Sequence, residues 1–275
     1  MKFPDMKSSL DLAIKQARVK YPQKKRFDKN RCAHLCVGAN VAKYLPKQSS
    51  ILDVGSGPCE AAGMLVQLGY EVSACDDLSD YWHLEGDNRR KILEYASNVG
   101  VDFHLIEDNN LPFKKNSFDM VMSNAVLEHL HESPRNMVNK MMEIIKPNGL
   151  FFITVPNAVN IRKRLDVLIG KTNLPPFKSY YWHPGDSWRG HIREYVKDDL
   201  KQLANYLDLE ILEISAVDMM LENLPKQLHG PYLFITKFFN SWKDSWILVG
   251  RKKLGWVEKV LTDDELLELW PSNHH

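Results

Sequence analysis

Residues 49–77 read SSILDVGSGPCEAAGMLVQLGYEVSACDD, and their pattern decides the architecture of the chain. A short apolar run, Ile51-Leu52-Asp53-Val54, ends at a tight Gly55-Ser56-Gly57 turn. An amphipathic stretch closed by Gly69 follows, and a second apolar run then stops on Asp76 and Asp77. Strand, glycine turn, helix, strand and terminal acid form the opening unit of many nucleotide-binding α/β folds. Gly55 and Gly57 let the backbone turn sharply and approach a ligand with no Cβ in the way. The helix that follows offers free N–H groups and a partial positive charge at its N-terminus. A dinucleotide loop would carry a third glycine at position 60, beneath the pyrophosphate. Glu60 stands there instead, an anion where a phosphate should dock, which argues against a nicotinamide cofactor.

The alternation continues outward. Short apolar runs at 101–106, 117–124, 150–157, 210–218 and 244–253 read as further strands. Residues 88–100 and 194–209 have helical spacing, as do residues 133–149, which start at Ser133-Pro134 and stop at Pro147-Asn148-Gly149. Strand–helix alternation of this kind predicts a parallel sheet wrapped by helices on both faces, with ligands beyond the carboxyl ends of the strands. Upstream, apolar positions recur at helical spacing over 8–20 (Leu10, Ala13, Ile14, Ala17) and again over 31–45. The segment YPQKKRFDKNR breaks the pattern between them. This divides the chain into an N-terminal helical cap (1–48), a core (49–157), an irregular insertion over the ligand edge (158–194) and a C-terminal part of the same fold (195–275). The last part contains an aromatic-rich excursion at 217–243.

The charge balance excludes some partners. Lys+Arg is 36 against Asp+Glu 35, so nothing favours nucleic acid as the main partner. No stretch approaches the ~18 apolar residues of a membrane span, and a cytoplasmic setting with reduced cysteines is expected. Cys32 and Cys36 would share a helix face, but no second ligand pair of matching spacing lies nearby, so no metal site is expected.

The second strand ends 21 positions beyond Gly55, at Asp76, where a carboxylate can accept both hydroxyls of a ribose. Asp77 is the neighbouring candidate, and a regular strand turns only one of the two inward. The ordered set of DVGSG (53–57), the strand-terminal acid, LPF…SFDMVMSNAVLEHL (111–130) and IIKPNGLFFITVPN (144–157) resembles the class I S-adenosylmethionine-dependent methyltransferases. It is most similar to the subgroup acting on small molecules, lipids and glycans. Residues 190–212, GHIREYVKDDLKQLANYLDLEIL, resemble a later helix and strand of that family. The resemblance implies a Rossmann-like three-layer sandwich with a seven-stranded, mostly parallel sheet whose last strand is antiparallel. It also implies S-adenosyl-L-methionine as cofactor. Asp53, Gly55, Ser56 and Gly57 would line its methionine part, and Asp76 its ribose. Asp108 and Asn109 would meet the adenine, and Asn124 would face the methionine portion and the methyl group. Cys59 departs from the family, which often has a third glycine there, and it narrows the space under the loop.

This ligand suits the loop. A zwitterion with a cationic sulfonium needs no phosphate cradle, and it tolerates a nearby carboxylate. Methyl transfer is an in-line displacement, so holding the partners in place can itself supply roughly 7–11 kcal/mol. A hydroxyl acceptor also needs a base, and histidine is the ordinary choice. His129, just after the fourth strand, and His191, opening GHIREY, are the candidates. Tyr181, Trp182 and Arg193 are candidate acceptor contacts, the rings by stacking on a sugar or apolar acceptor. The expected acceptor is an oxygen of a small molecule or of a glycan or lipid precursor. Methylation of nitrogen in a small molecule or RNA, and a non-catalytic cofactor-binding subunit, are the alternatives. The aromatic run at 231–243, with its lysines, could serve a homodimer or a peripheral membrane contact.

Overall fold

The apolar runs become one twisted sheet, and the amphipathic stretches between them become helices on its two faces. A computed structural model describes residues 3–107, 111–184 and 188–269. The cap is α1 (Phe3–Lys20), α2 (Lys24–Lys29) and α3 (Arg31–Tyr44). The core runs β1 (Ser50–Val54), α4 (Glu60–Gln67), β2 (Glu71–Asp76), α5 (Tyr81–Leu84), α6 (Asn88–Val99), β3 (Asp102–Leu105), β4 (Phe118–Asn124), α7 (Arg135–Ile144) and β5 (Ile145–Pro156). The remainder is α8 (Ile161–Leu168), α9 (Phe177–Tyr181), α10 (Lys197–Tyr206), β6 (Leu209–Val217), α11 (Lys226–Phe238), β7 (Ser245–Lys252) and α12 (Asp263–Leu269).

Strand order is β3-β2-β1-β4-β5-β7-β6. The first five strands are mutually parallel, and β7 inserts antiparallel between β5 and β6. The chain direction of travel across the sheet reverses between β1 and β4. The crevice therefore opens beyond Val54 and Asn124, at the switch point where such sheets bind ligands. Alternate residues of each strand feed opposite faces. Ile51, Ala74, Met120, Phe152 and Val249 pack under the cap with α4 and α6, while Leu52, Cys75, Val121, Phe151 and Leu248 pack under α7 and α10.

Several expectations change. Residues 21–31 are not a break, because α2 forms there and buries Phe27 completely. The helix over 133–149 ends at Ile144, and fully buried Ile145 pairs with Phe118 before the register shifts. Pro147-Asn148-Gly149 is thus an irregularity inside β5 rather than a helix terminator. The insertion is not irregular throughout, since it holds α8 and α9, and the aromatic excursion is mostly α11. Among the described residues, no helix is long and apolar enough to cross a membrane.

Glu60 is the most instructive correction. It opens α4 but is only 5% exposed and turns toward the cap, away from the crevice. Asn30 Nδ2 donates to its carboxylate at 2.6 Å, with His34 Nε2 at 3.4 Å and Arg26 Nε at 3.5 Å. Burial alone would raise this carboxyl, but the bonds from His34 and Asn30 outweigh it and hold the group below the usual range. Glu60 fastens the cap to the core and says nothing about phosphate.

Candidate active site at the switch point

The cofactor side is built by the turns after β1 and β2. Gly55 has φ +71°, and a Cβ there would meet Val126 Cγ2 at 2.5 Å, so only glycine fits between the loop and the segment after β4. The Gly55 and Ser56 amides donate to the Cys75 carbonyl, which ties the loop to the end of β2. Asp76 completes the tie: its two oxygens accept from Gly57 N at 2.8 Å and Leu78 N at 2.7 Å. Cys59 occupies the left-handed region at φ +59° and is fully buried. Its thiol lies 3.6 Å from Ser56 Oγ and packs into the core beneath the loop. A side chain with no branching at Cβ is thus accommodated where a glycine would be the easy solution, at a strain of roughly 1–2 kcal/mol.

Asp53 lies at the end of β1, buried at 2% exposure. Burial, helped by Asp76, raises its pKa to about 8. Asn124, at the end of neighbouring β4, donates from Nδ2 to Asp53 Oδ1 at 3.5 Å. Asn124 Oδ1 is itself buried without a hydrogen-bond partner. Asp76 is also raised, by burial against the opposing backbone bonds. Among the described residues, neither Asp53 nor Asp76 has an ion-pair partner. Two buried carboxyl groups without an ion-pair partner, beside an unpartnered Asn124 oxygen, suit a cationic amino-acid group, so these residues fit S-adenosylmethionine. Asp77 points elsewhere. It accepts from Ser79 N and Oγ and from Arg189 Nη1 at 3.3 Å and Nη2 at 3.2 Å, and Arg189 also lies 3.6 Å from Asp80. Asp108 and Asn109 lie outside the described residues.

The acceptor side rises from the turn after β4. A single 3₁₀ turn, Leu127–His129, puts Glu128 at 1% exposure with no partner for Oε2. Burial raises this carboxyl to about 7. The strand-like return at 192–195 bonds back here: Ile192 N donates to the Glu128 carbonyl at 2.7 Å, and Tyr195 Oη to the Leu127 carbonyl at 3.3 Å. That return delivers His191 onto His129, their rings 4.9 Å apart and edge-on. Both Nε2 atoms lie 4.0 Å from Glu128 Oε1. His129 Nδ1 donates to the Arg189 carbonyl at 2.7 Å, and His191 Nδ1 to Glu194 Oε1 at 2.8 Å. Glu194 in turn pairs with Lys163, which is buried at 7% and pushed down to about 8 by burial and by Arg162. Burial, with help from His129 and Lys163, lowers His191 to about 4, so its neutral form prevails.

The structure therefore brings together His129 and His191, which are 62 residues apart in the chain. It does not bring Tyr181, Trp182 or the Arg193 guanidinium to them. Tyr181 and Trp182 are 63% and 71% exposed and pack edge-on against each other, while Arg193 reaches Asp199 on α10 at 3.2 Å. A cavity of about 190 Å³ adjoins the cluster, lined by Ala158, Lys163, Leu174, Pro175, His191 and Glu194 among others. Sequence reasoning noted Glu128 only as the neighbour of His129 and missed Arg189. Adjacency to His129 was the available signal for Glu128; Arg189 had none, because the acids its guanidinium meets are more than a hundred residues upstream.

Sheet order, the glycine turn tied to an acid, and the cluster after β4 make up an open α/β sheet with a crevice at its switch point. Residues 52–153 match the family described as the methyltransferase domain. Over 105 residues the chain is 30% identical to an uncharacterized methyltransferase of Mycobacterium sp. (strain KMS), covering 38% of each. Over 122 residues it is 28% identical to a ubiquinone biosynthesis O-methyltransferase of Rickettsia canadensis, covering 44% of this chain and 48% of that one. The chain thus spans less than half the length of these curated relatives. In fold it is similar to the methyltransferase of Haloferax volcanii solved in complex with the Trm112 methyltransferase activator. The TM-score is 0.56 at 14% identity, covering 82% of this chain and 92% of that one. Residues 52–153 are therefore similar to the methyltransferase domain family, and the fold is shared with solved methyltransferases.

Proposed function

We propose that this chain methylates an oxygen of a small molecule or of a glycan or lipid precursor, received at Glu128, His129 and His191. The observation that carries the reading is the His191 Nε2 lone pair, freed by the Nδ1–Glu194 bond and directed into the acceptor side of the crevice. S-adenosylmethionine supplies an electrophilic methyl group when bound. Asp53 and Asn124 hold its amino-acid end, Gly55, Ser56 and Gly57 let it approach the backbone, and Asp76 takes the ribose. His191 accepts the hydroxyl proton, and the Glu128 carboxylate behind it stabilises the imidazolium that forms. His129, fixed by the Arg189 carbonyl, orients the same hydroxyl.

The surroundings support an amphiphilic acceptor. Leu174, which lines the cavity, and Leu165, Val167, Leu168 and Phe177 of the same insertion are all more than half exposed. Residues 161–182 hold five Lys or Arg against one acid, and residues 226–243 hold three lysines and no acid. Basic and apolar together, these two excursions suit the surface of an anionic lipid layer presenting the acceptor.

Two measurements test the reading. Calorimetry should show binding of S-adenosylhomocysteine and not of NAD; no affinity for the former overturns the cofactor assignment. Labelled-methyl incorporation into fractionated aqueous and lipid extracts should then mark an acceptor, and His191→Ala should lower that rate about 10²–10⁴-fold at saturating cofactor. Near-normal rates in both His191→Ala and His129→Ala defeat the assigned roles.

A further inference from the structure

Glu128 Oε1, His129 Nε2 and His191 Nε2 lie within 4.8 Å of one another. The tautomers are fixed from behind. A carbonyl can only accept, so the 2.7 Å contact of His129 Nδ1 with Arg189 places the proton on Nδ1. Glu194, itself paired with Lys163, does the same for His191 Nδ1. Both inward nitrogens are therefore bare lone pairs facing a carboxylate oxygen. At 4.0 Å they are too far from it to share a hydrogen bond. Among the described residues, three acceptors face one another with no donor between them, and the second carboxylate oxygen is buried without a partner. Left so, the arrangement is costly, since an unsatisfied buried polar group loses about 1–3 kcal/mol.

We propose that Glu128, His129 and His191 form a binding site for a divalent transition-metal ion, with open positions toward the acceptor. Both imidazole nitrogens lie 4.0 Å from Glu128 Oε1 and the three ligand atoms lie within 4.8 Å of one another, so a point equidistant from them is at most about 2.5 Å from each, against roughly 2.0–2.2 Å for metal bonds to imidazole and carboxylate, and a contraction of a few tenths of an ångström suffices. Two imidazoles and one carboxylate on a single side leave the other positions for the ligand. The outer bonds complete the pattern: ligating histidines typically donate the other N–H to a carbonyl or carboxylate, and both do so here. The inference rests on the reading that the acceptor oxygen meets this cluster. With the ion in place, an acceptor hydroxyl becomes its ligand and loses its proton to solvent water, keeping the O–H electron pair on oxygen. In the metal-loaded site the two histidines serve as ligands, and the base role of His191 belongs to the metal-free chain.

The test uses the full chain, stripped with a chelator, titrated with Co(II), Mn(II) and Zn(II) in the presence of saturating S-adenosylhomocysteine. One equivalent should bind with Kd below about 100 μM, with Co(II) giving visible d–d absorption. Glu128→Gln and His191→Gln should each weaken binding at least tenfold, while His229→Ala, on α11, should not. S-adenosylhomocysteine affinity, measured on the same variants, shows that they fold. Binding weaker than 1 mM, or tight binding indifferent to Glu128→Gln and His191→Gln, overturns the site even if the cofactor product binds. Loss of S-adenosylhomocysteine binding by the unaltered chain, with a Glu128-dependent metal site intact, instead overturns the methyltransferase reading alone.

Discussion

Asp53 is placed so that its ionisation is coupled to the arrival of a cation. Its carboxyl, raised to about 8 by burial and by Asp76, is mostly protonated at neutral pH while no cation is near. A ligand with an ammonium group needs the carboxylate, so binding must expel that proton. One pH unit below the pKa this costs about 1.4 kcal/mol, and two units below about 2.7 kcal/mol. Affinity for S-adenosylhomocysteine should therefore rise about tenfold per unit between pH 6 and pH 7, less steeply toward pH 8, and flatten above it. Calorimetry in buffers of different ionisation enthalpy should detect nearly one proton released per ligand at pH 7. Asp53→Asn should bind more weakly at pH 8 and show almost no slope. Stability should move in the opposite direction. A folded-state pKa above the ordinary carboxylate value favours the folded state at low pH, and that contribution is lost as pH rises from about 4 to about 8. Asp53→Asn should remove this loss, giving a flatter urea-midpoint profile over the same window. An affinity that varies less than twofold between pH 6 and 8, or a slope that survives in Asp53→Asn, would refute the reasoning.

Glu60→Ala leaves His34 and Asn30 without their buried partner, and urea denaturation should show a loss of about 3 kcal/mol or more. Affinity for S-adenosylhomocysteine in the surviving folded protein should stay within about threefold; unchanged stability with binding abolished would return Glu60 to the crevice. At position 59 the backbone conformation is the constraint, so Cys59→Gly should shift stability by less than about 1 kcal/mol, whereas branching at Cβ in Cys59→Val should cost more than about 2 kcal/mol. Equal unfolding midpoints for the two variants would contradict that account.

The sheet was legible because its signals are local. Ile51-Leu52-Asp53-Val54 and its glycine turn, the acid ending β2 and the alternation that follows are each contained within a dozen residues. Asp76 and Asn124 could be nominated because each ends a strand, and Asp53 because it stands one residue before the end of β1 in the quoted motif. Glu60 was misread because position in a motif does not fix the direction of a side chain. Its partners Asn30 and His34 come from helices whose docking no short window reveals. Arg193 misled in the same way, since Asp199, six residues on, draws its guanidinium outward. The acceptor cluster was half legible: the histidines could be nominated singly, but their meeting depends on Ile192 and Tyr195 bonding back to the turn after β4.

Arg189 belongs to both halves of the crevice at once. Its guanidinium rests on Asp77 and Asp80 beyond β2, while its carbonyl sets the tautomer of His129 beyond β4. One residue thus joins the loop beyond β2 to the turn beyond β4, through its side chain at one end and its backbone at the other.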